Sequence, residues 1–221
     1  MPTTARITTL ATLTTLALTS STLAQSIANG DLTGPVVAGN APPSWFNWQK
    51  TPDTCDASGP FNNTTTPWTL SPNGGTFVRA GGSDFANSEG FAQNVSGFTI
   101  GDTYQLDFHL TNLGFQNLAS GAWNGQDGYW QLVANGAVVG DSITLSKQSL
   151  PTDPIVWFTD SISFVATASA IELALVSRSL DPTGPASYMG IDGIRVSRVP
   201  APGALAIAAM SGLAIARRRR A

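Results

Sequence analysis

The chain of 221 residues carries one histidine, one cysteine and two lysines, so few side chains in it can do chemistry. A zinc site built from several His or Cys ligands is excluded, and so is a disulfide framework. The histidine, His109, sits on the polar side of an alternating segment, and no Gly-x-Ser-x-Gly elbow accompanies it. A Ser-His-acid triad needs a base held by a carboxylate within reach of a nucleophile, and nothing near His109 announces one. Cys55 lies between Asp53 and Asp56. Neighbouring negative charge raises a thiol's pKa and dulls it, so Cys55 reads as incidental. The acids are twelve aspartates with Glu89 and Glu172. A carboxylate pair for glycoside hydrolysis therefore stays open, but no catalytic constellation is recognisable, and a non-enzymatic protein is expected.

Aromatic and amide side chains offer a different chemistry. Rings stack on the apolar faces of sugars, while amides and carboxylates bond the hydroxyls. Trp123 and Tyr129 flank a polar stretch with Asn124, Gln126 and Asp127, which is the composition of a sugar site on a loop rim. A second set, Trp45, Trp48 and Trp68, lies in a proline-rich region over residues 40–75. A long irregular segment of this kind is usually functional or flexible. The alternative is that these rings fill a core, since aromatics carry much of core burial. Trp130 and Trp157, placed inside strands, are expected there.

The elements that would position these residues are strands. Tyr104, Leu106, Phe108 and Leu110 alternate with Gln105, Asp107 and His109, which puts four apolar side chains on one face of a sheet. Asn135-Gly136 between two apolar runs is a hairpin signal, because both turn positions need positive φ. Ile171, Leu173 and Leu175 alternate in turn, residues 191–199 make a last strand, and 76–79 and 90–95 make earlier ones. Residues 156–158 and 162–165 read as one strand or as two broken near Asp160. No segment carries a capped helical pattern of several turns. Only 11% of the chain is charged and 42% is hydrophobic, with Thr, Ser, Gly and Asn between. Seven to nine short strands in such a chain indicate an all-β sandwich.

The two ends differ from this middle. Residues 1–24 have an early Arg6, an uncharged apolar stretch and small residues at cleavage spacing, the layout of a signal peptide with a helical core. At the other end, Gly203 to Ala216 is a mostly apolar run of 14 residues followed at once by Arg217, Arg218, Arg219 and Arg220. A full span needs about 20 residues, but a thinned bilayer and snorkelling arginines accept a shorter one. A soluble helix or a nucleic-acid patch is the alternative. Between the ends, residues 25–199 hold six cations against fourteen acids, a net charge of about −8. That excludes nucleic-acid binding through phosphate neutralisation.

Pro200-Ala201-Pro202, the short apolar helix and the arginine cluster together resemble the PEP-CTERM sorting signal, with Ala201 where that family has Glu. The resemblance covers residues 200–221. It implies an exosortase-type sorting protease as partner, a transient membrane anchor, and a Gram-negative exporter of extracellular polysaccharide. Residues 25–199 in turn resemble galactose-binding-like jelly-roll domains. The matching pieces are Asn29-Gly30-Asp31, Pro43-Ser44-Trp45, residues 90–95, 104–110 and 170–177, and Ile191-Asp192-Gly193-Ile194-Arg195-Val196. Leu32, Thr33 and Gly193 stand where that family usually has Phe, Glu and a second Asp. The resemblance implies a structural calcium tying Asp31 to Asp192, with Asp192 as a turn cap the alternative. The expected protein is an exported surface or matrix protein that binds carbohydrate. A structural matrix protein without a small ligand, or a glycan hydrolase or lyase, are the other readings.

Overall fold

The computed structural model describes residues 25–84 and 86–200. The expected signal peptide and almost all of the sorting tail lie outside these residues; Pro200, where the tail begins, is exposed and follows the last strand.

Two five-stranded antiparallel sheets form a sandwich. The strands are β1 (Phe46–Gln49), β2 (Asp53–Cys55), β3 (Phe77–Gly82), β4 (Gly90–Ser96), β5 (Thr103–Asn112), β6 (Phe115–Gln116), β7 (Trp123–Asn124), β8 (Gly128–Ala134), β9 (Ala137–Asp141), β10 (Phe158–Val165), β11 (Ala170–Ser179) and β12 (Ser187–Arg198). The first sheet runs β1-β4-β11-β8-β9 and the second runs β10-β5-β12-β3-β2, with β6-β7 a separate short ribbon. No helix occurs among the described residues. The all-β sandwich matches the jelly-roll expectation, because each sheet hides one face against the other.

The period-two reading of β5 holds. Tyr104, Leu106, Phe108 and Leu110 are all buried in the main core, where they meet Phe91, Trp130, Leu132, Leu173 and Ile191 from the other strands. Asn135 and Gly136 have φ of 48° and 79°, the positive pair that closes a two-residue hairpin, and the Asn135 side chain accepts a hydrogen bond from Glu172 N at 2.9 Å. The hairpin is thereby tied to β11.

Three details differ from the sequence expectation. The region over residues 40–75 is not wholly irregular: it supplies β1, which pairs with β4, and β2, which pairs with β3. Both are short edge strands, and their prolines hide the alternation. Residues 158–165 form one unbroken strand, in register with β5 from Phe158↔Leu110 to Val165↔Thr103. Trp157 lies just before β10 rather than inside a strand. It packs on Phe77 at 5.3 Å and joins a second, smaller core of Cys55, Trp68, Leu113 and Ile155 on the outer side of the second sheet.

Trp130 is the largest fully buried side chain, in edge contact with Phe91 at 5.9 Å and donating from Nε1 to Gly190 O at 3.2 Å. It links the two sheets. Trp130→Ala leaves a void at the centre of the core, and is expected to cost about 3–5 kcal/mol, read as a lower urea midpoint at unchanged slope.

Candidate functional site

Edge strand β2 and its neighbours β3 and β12 build a cleft on the outer face of the second sheet. Asp53 stands opposite Arg79, and Tyr188 opposite Gly81, so the three side chains emerge on one side. Phe61 comes from the loop after β2, Phe115 from β6 and Glu89 from the turn before β4. Together they enclose about 570 Å³.

Arg79 organises this cleft. It is only 4% exposed, its Nη1 donates to Asp53 Oδ2 at 2.8 Å, and its guanidinium lies 5.1 Å from the Phe61 ring centre and 4.7 Å from that of Tyr188. Phe115 continues the stack, 5.1 Å from Tyr188. A planar, weakly hydrated guanidinium suits such a sandwich, whereas an ammonium does not. Arg79 Nε is buried and has no hydrogen-bond partner among the described residues.

The carboxylates are held just as firmly. Asp53 Oδ1 accepts from Gly39 N at 2.8 Å. Burial pushes the Asp53 pKa up, against the pull of Gly39 and Arg79. Glu89 accepts from Gly81 N through Oε2 and from Thr51 Oγ1 at 3.4 Å through Oε1. Its pKa is also raised, first by burial and then by the charge of Asp53. Tyr188 is shifted up by burial, with Glu89 adding to it. Phe61, 45% exposed, is presented by a loop that Asp56 pins through Ser58 N and that Asn62 pins through Ala57 O and Thr66 O. The cleft thus offers an exposed ring, two carboxylates and nearby hydroxyls, a set that matches a polyol.

Sequence reasoning did not assemble this site. It weighed Asp53 only as a neighbour of Cys55 and Glu89 only as one of two glutamates. The signal that points there is a cation, Arg79, in a run of apolar strand residues.

The residues singled out in the sequence lie elsewhere. Trp45 is buried in the main core, edge-on to Phe91 at 4.9 Å, with Nε1 donating to Asn29 O. Trp68 is buried in the second core against Phe77. Trp48 and Tyr129 share the outer face of the first sheet, where the Trp48 ring covers Ala92, Val133, Ala174 and Val176 and its Nε1 donates to Glu172 Oε1 at 2.7 Å. Trp123 lines a small cavity of about 140 Å³ together with Trp68. Its Nε1 is spent on Gln148 O at 2.7 Å, and Lys147 lies 5.2 Å from its ring. Gly114, at φ 60°, leaves room for that ring, since a Cβ there would meet Trp123 at 2.2 Å.

Asn124, Gln126, Asp127 and Tyr129 do not gather with Trp123 into one rim. Asn124 donates to Ala122 O within its own ribbon. Gln126 bonds Asp181 N at 2.9 Å and Asp181 O at 2.7 Å, so its amide staples the 181–185 loop. Asp127 accepts from Ser146 Oγ at 3.0 Å. Asn124, Gln126 and Asp127 each spend at least one polar atom on a bond within the fold.

The pair Asp31 and Asp192 does not fit calcium. The ion takes six to eight oxygens. Asp192 is fully buried, with Ser71 Oγ donating to its Oδ2 and Gly193 N to its Oδ1 at 2.7 Å, while Asn73 adds a side-chain bond. Asp31 pairs with Arg195, whose Nη1 also donates to Ile194 O at 2.9 Å. No group of three or more His, Cys, Asp or Glu able to hold a metal occurs among the described residues. A bulge at Gly193, φ 67°, sets this geometry by turning Arg195 towards the N-terminal segment. The expected tie between that segment and the last strand is thus made by a guanidinium and by Ile194 N donating to Gly30 O at 2.7 Å.

No family model matches the chain, and no curated protein matches it. Solved structures similar to it include a Stig cyclase from Fischerella sp. TAU in complex with an indole compound, at 15% identity over 81% of this chain and 98% of that one, TM-score 0.54. They also include one described as "CBM4 structure and function", at 17% identity over 79% and 100%, TM-score 0.43. A third is the C-terminal domain of the sugar-binding protein EclA, at 22% identity over 48% and 64%, TM-score 0.32; the chain spans less than two thirds of that domain. The likeness to the cyclase shows a shared fold.

Burial raises the Asp192 pKa to about 6. The folded state therefore holds this proton more tightly than the unfolded chain, whose value is near 3.9. The stabilising contribution is complete below the unfolded value and is lost as pH rises through about 6. Asp192→Asn removes the titration. Between pH 4 and pH 7, wild-type stability is expected to fall relative to this variant by on the order of 2 kcal/mol, measured by urea unfolding at each pH.

Proposed function

We propose that this protein is an exported β-sandwich that binds carbohydrate in the Arg79 cleft and acts at the cell surface or in extracellular polysaccharide. The observation that carries the binding reading is the half-exposed Phe61 ring on the wall of a cleft that also presents Tyr188, Asp53 and Glu89 around Arg79. Sugar recognition asks for a ring wall with a few convergent polar groups, and this cleft supplies both. Export rests on the signal-peptide layout of residues 1–24. The surface or matrix destination rests on the resemblance of residues 200–221 to a sorting signal that an exosortase-type protease reads.

A glycan array probed with the purified chain tests the binding. One or more glycans should bind, and Phe61→Ala, which removes a half-exposed ring, should weaken binding about five- to tenfold with the fold intact. A folded protein that binds no glycan at millimolar concentration would leave a structural matrix protein. Polysaccharide turnover abolished by Glu89→Gln would instead make the cleft an active site. For the tail, intact-mass measurement on secreted material from the native host should show Arg217 to Arg220 gone; their retention counts against processing.

A further inference from the structure

The charge of the cleft narrows the class of sugar it takes. Among the described residues lining it, the charged side chains are Asp53, Arg79 and Glu89. The one cation is already neutralised by Asp53 at 2.8 Å. Glu89 faces Gly81 N and Thr51 Oγ1, with Asp53, Arg79 and Tyr188 near enough to exchange charge effects with it. On the far side, Arg178 from β11 bonds Ser88 Oγ at 3.2 Å. With Glu89 ionised, the cleft is therefore one negative charge in excess.

We infer that the cleft selects uncharged glycans and rejects uronate-bearing ones, with Glu89 as the residue that sets this selectivity. This rests on the carbohydrate reading above. A neutral sugar covers the exposed Phe61 ring and gives hydroxyl donors to Glu89, adding no charge to the cleft. A uronate carboxylate placed in the cleft brings a third anion beside a single guanidinium that Asp53 already pairs, and it meets the charge of Glu89. Exclusion of this kind works by building a repulsive element against the wrong ligand.

The test is calorimetric titration of the full chain with two oligosaccharides of equal length, one of neutral hexoses and one of the matching uronic acids. The neutral series is taken from the glycans that bind on the array. At pH 7.5 the uronate should bind at least about tenfold more weakly. Glu89→Gln should close most of that gap by strengthening uronate binding, and a shift to pH 4.5 should close it in the same direction, because burial raises the Glu89 pKa while uronates stay ionised. Uronate binding equal to or tighter than neutral binding at pH 7.5 overturns the selectivity and leaves the carbohydrate reading standing. So does a gap that Glu89→Gln does not move while the variant stays folded. No binding of either series by a folded chain overturns the carbohydrate reading itself.

Discussion

A guanidinium cannot be buried without a counter-charge, and Arg79 is where this chain meets that constraint. The requirement fixes Asp53 on the neighbouring strand, which in turn is aimed by Gly39 N from the segment before β1. Edge strand β2 is three residues long and would be weak alone. The ion pair and the small core around Cys55, Trp68 and Phe77 hold it to β3. The same cation also meets the rings of Phe61 and Tyr188, which reach it from the loop after β2 and from the last strand. One buried charge thus gathers Gly39, Asp53 and Phe61 from one stretch of chain and Tyr188 from the last strand. Apolar side chains of similar volume are often no less stabilising than a buried ion pair, so the effect of this pair lies in what it positions.

The fold was legible wherever one face of a strand is buried and the other is wet. β5 alternates cleanly for this reason, and the β8–β9 turn announces itself through Asn135-Gly136. The first two strands were not legible because each is short and lies on an edge. Little of their sequence has to alternate, and the prolines around them mask what remains. The candidate site was hidden for a related reason. Its members come from β2, β3, the turn before β4, β6 and β12, and no local pattern marks residues that converge only through topology. The tryptophans attracted attention by type alone. The structure spends Trp45 and Trp68 on cores, and it spends Trp48 and Trp123 on half-buried contacts with carboxylate and carbonyl partners. An indole that finds both an apolar wall and a partner for its N–H has little left to offer a ligand.

The N-terminal segment is joined to the last strand by charge and by backbone. Thr33 adds no carboxylate beside Asp31, so the oxygen set for a hard cation there is thin. Arg195, turned by the Gly193 bulge, carries a fixed positive charge to Asp31 instead, and a backbone bond from Ile194 to Gly30 completes the join. The Asp31–Arg195 pair is half exposed on both sides, so it contributes little free energy by itself. Its effect is geometric: the segment that delivers Leu32 into the main core is held to β12. Asp192, the other acid of the expected pair, is left in the interior with only neutral donors around it, and it holds its proton more tightly as a result. The same physics acts on Glu89 in the cleft, where burial and a nearby anion favour the protonated acid. In a domain this poor in cations, with six against fourteen acids over residues 25–199, carboxylates outnumber their partners. The fold answers by pairing some, bonding others to backbone N–H groups, and leaving a few to settle their charge by pH.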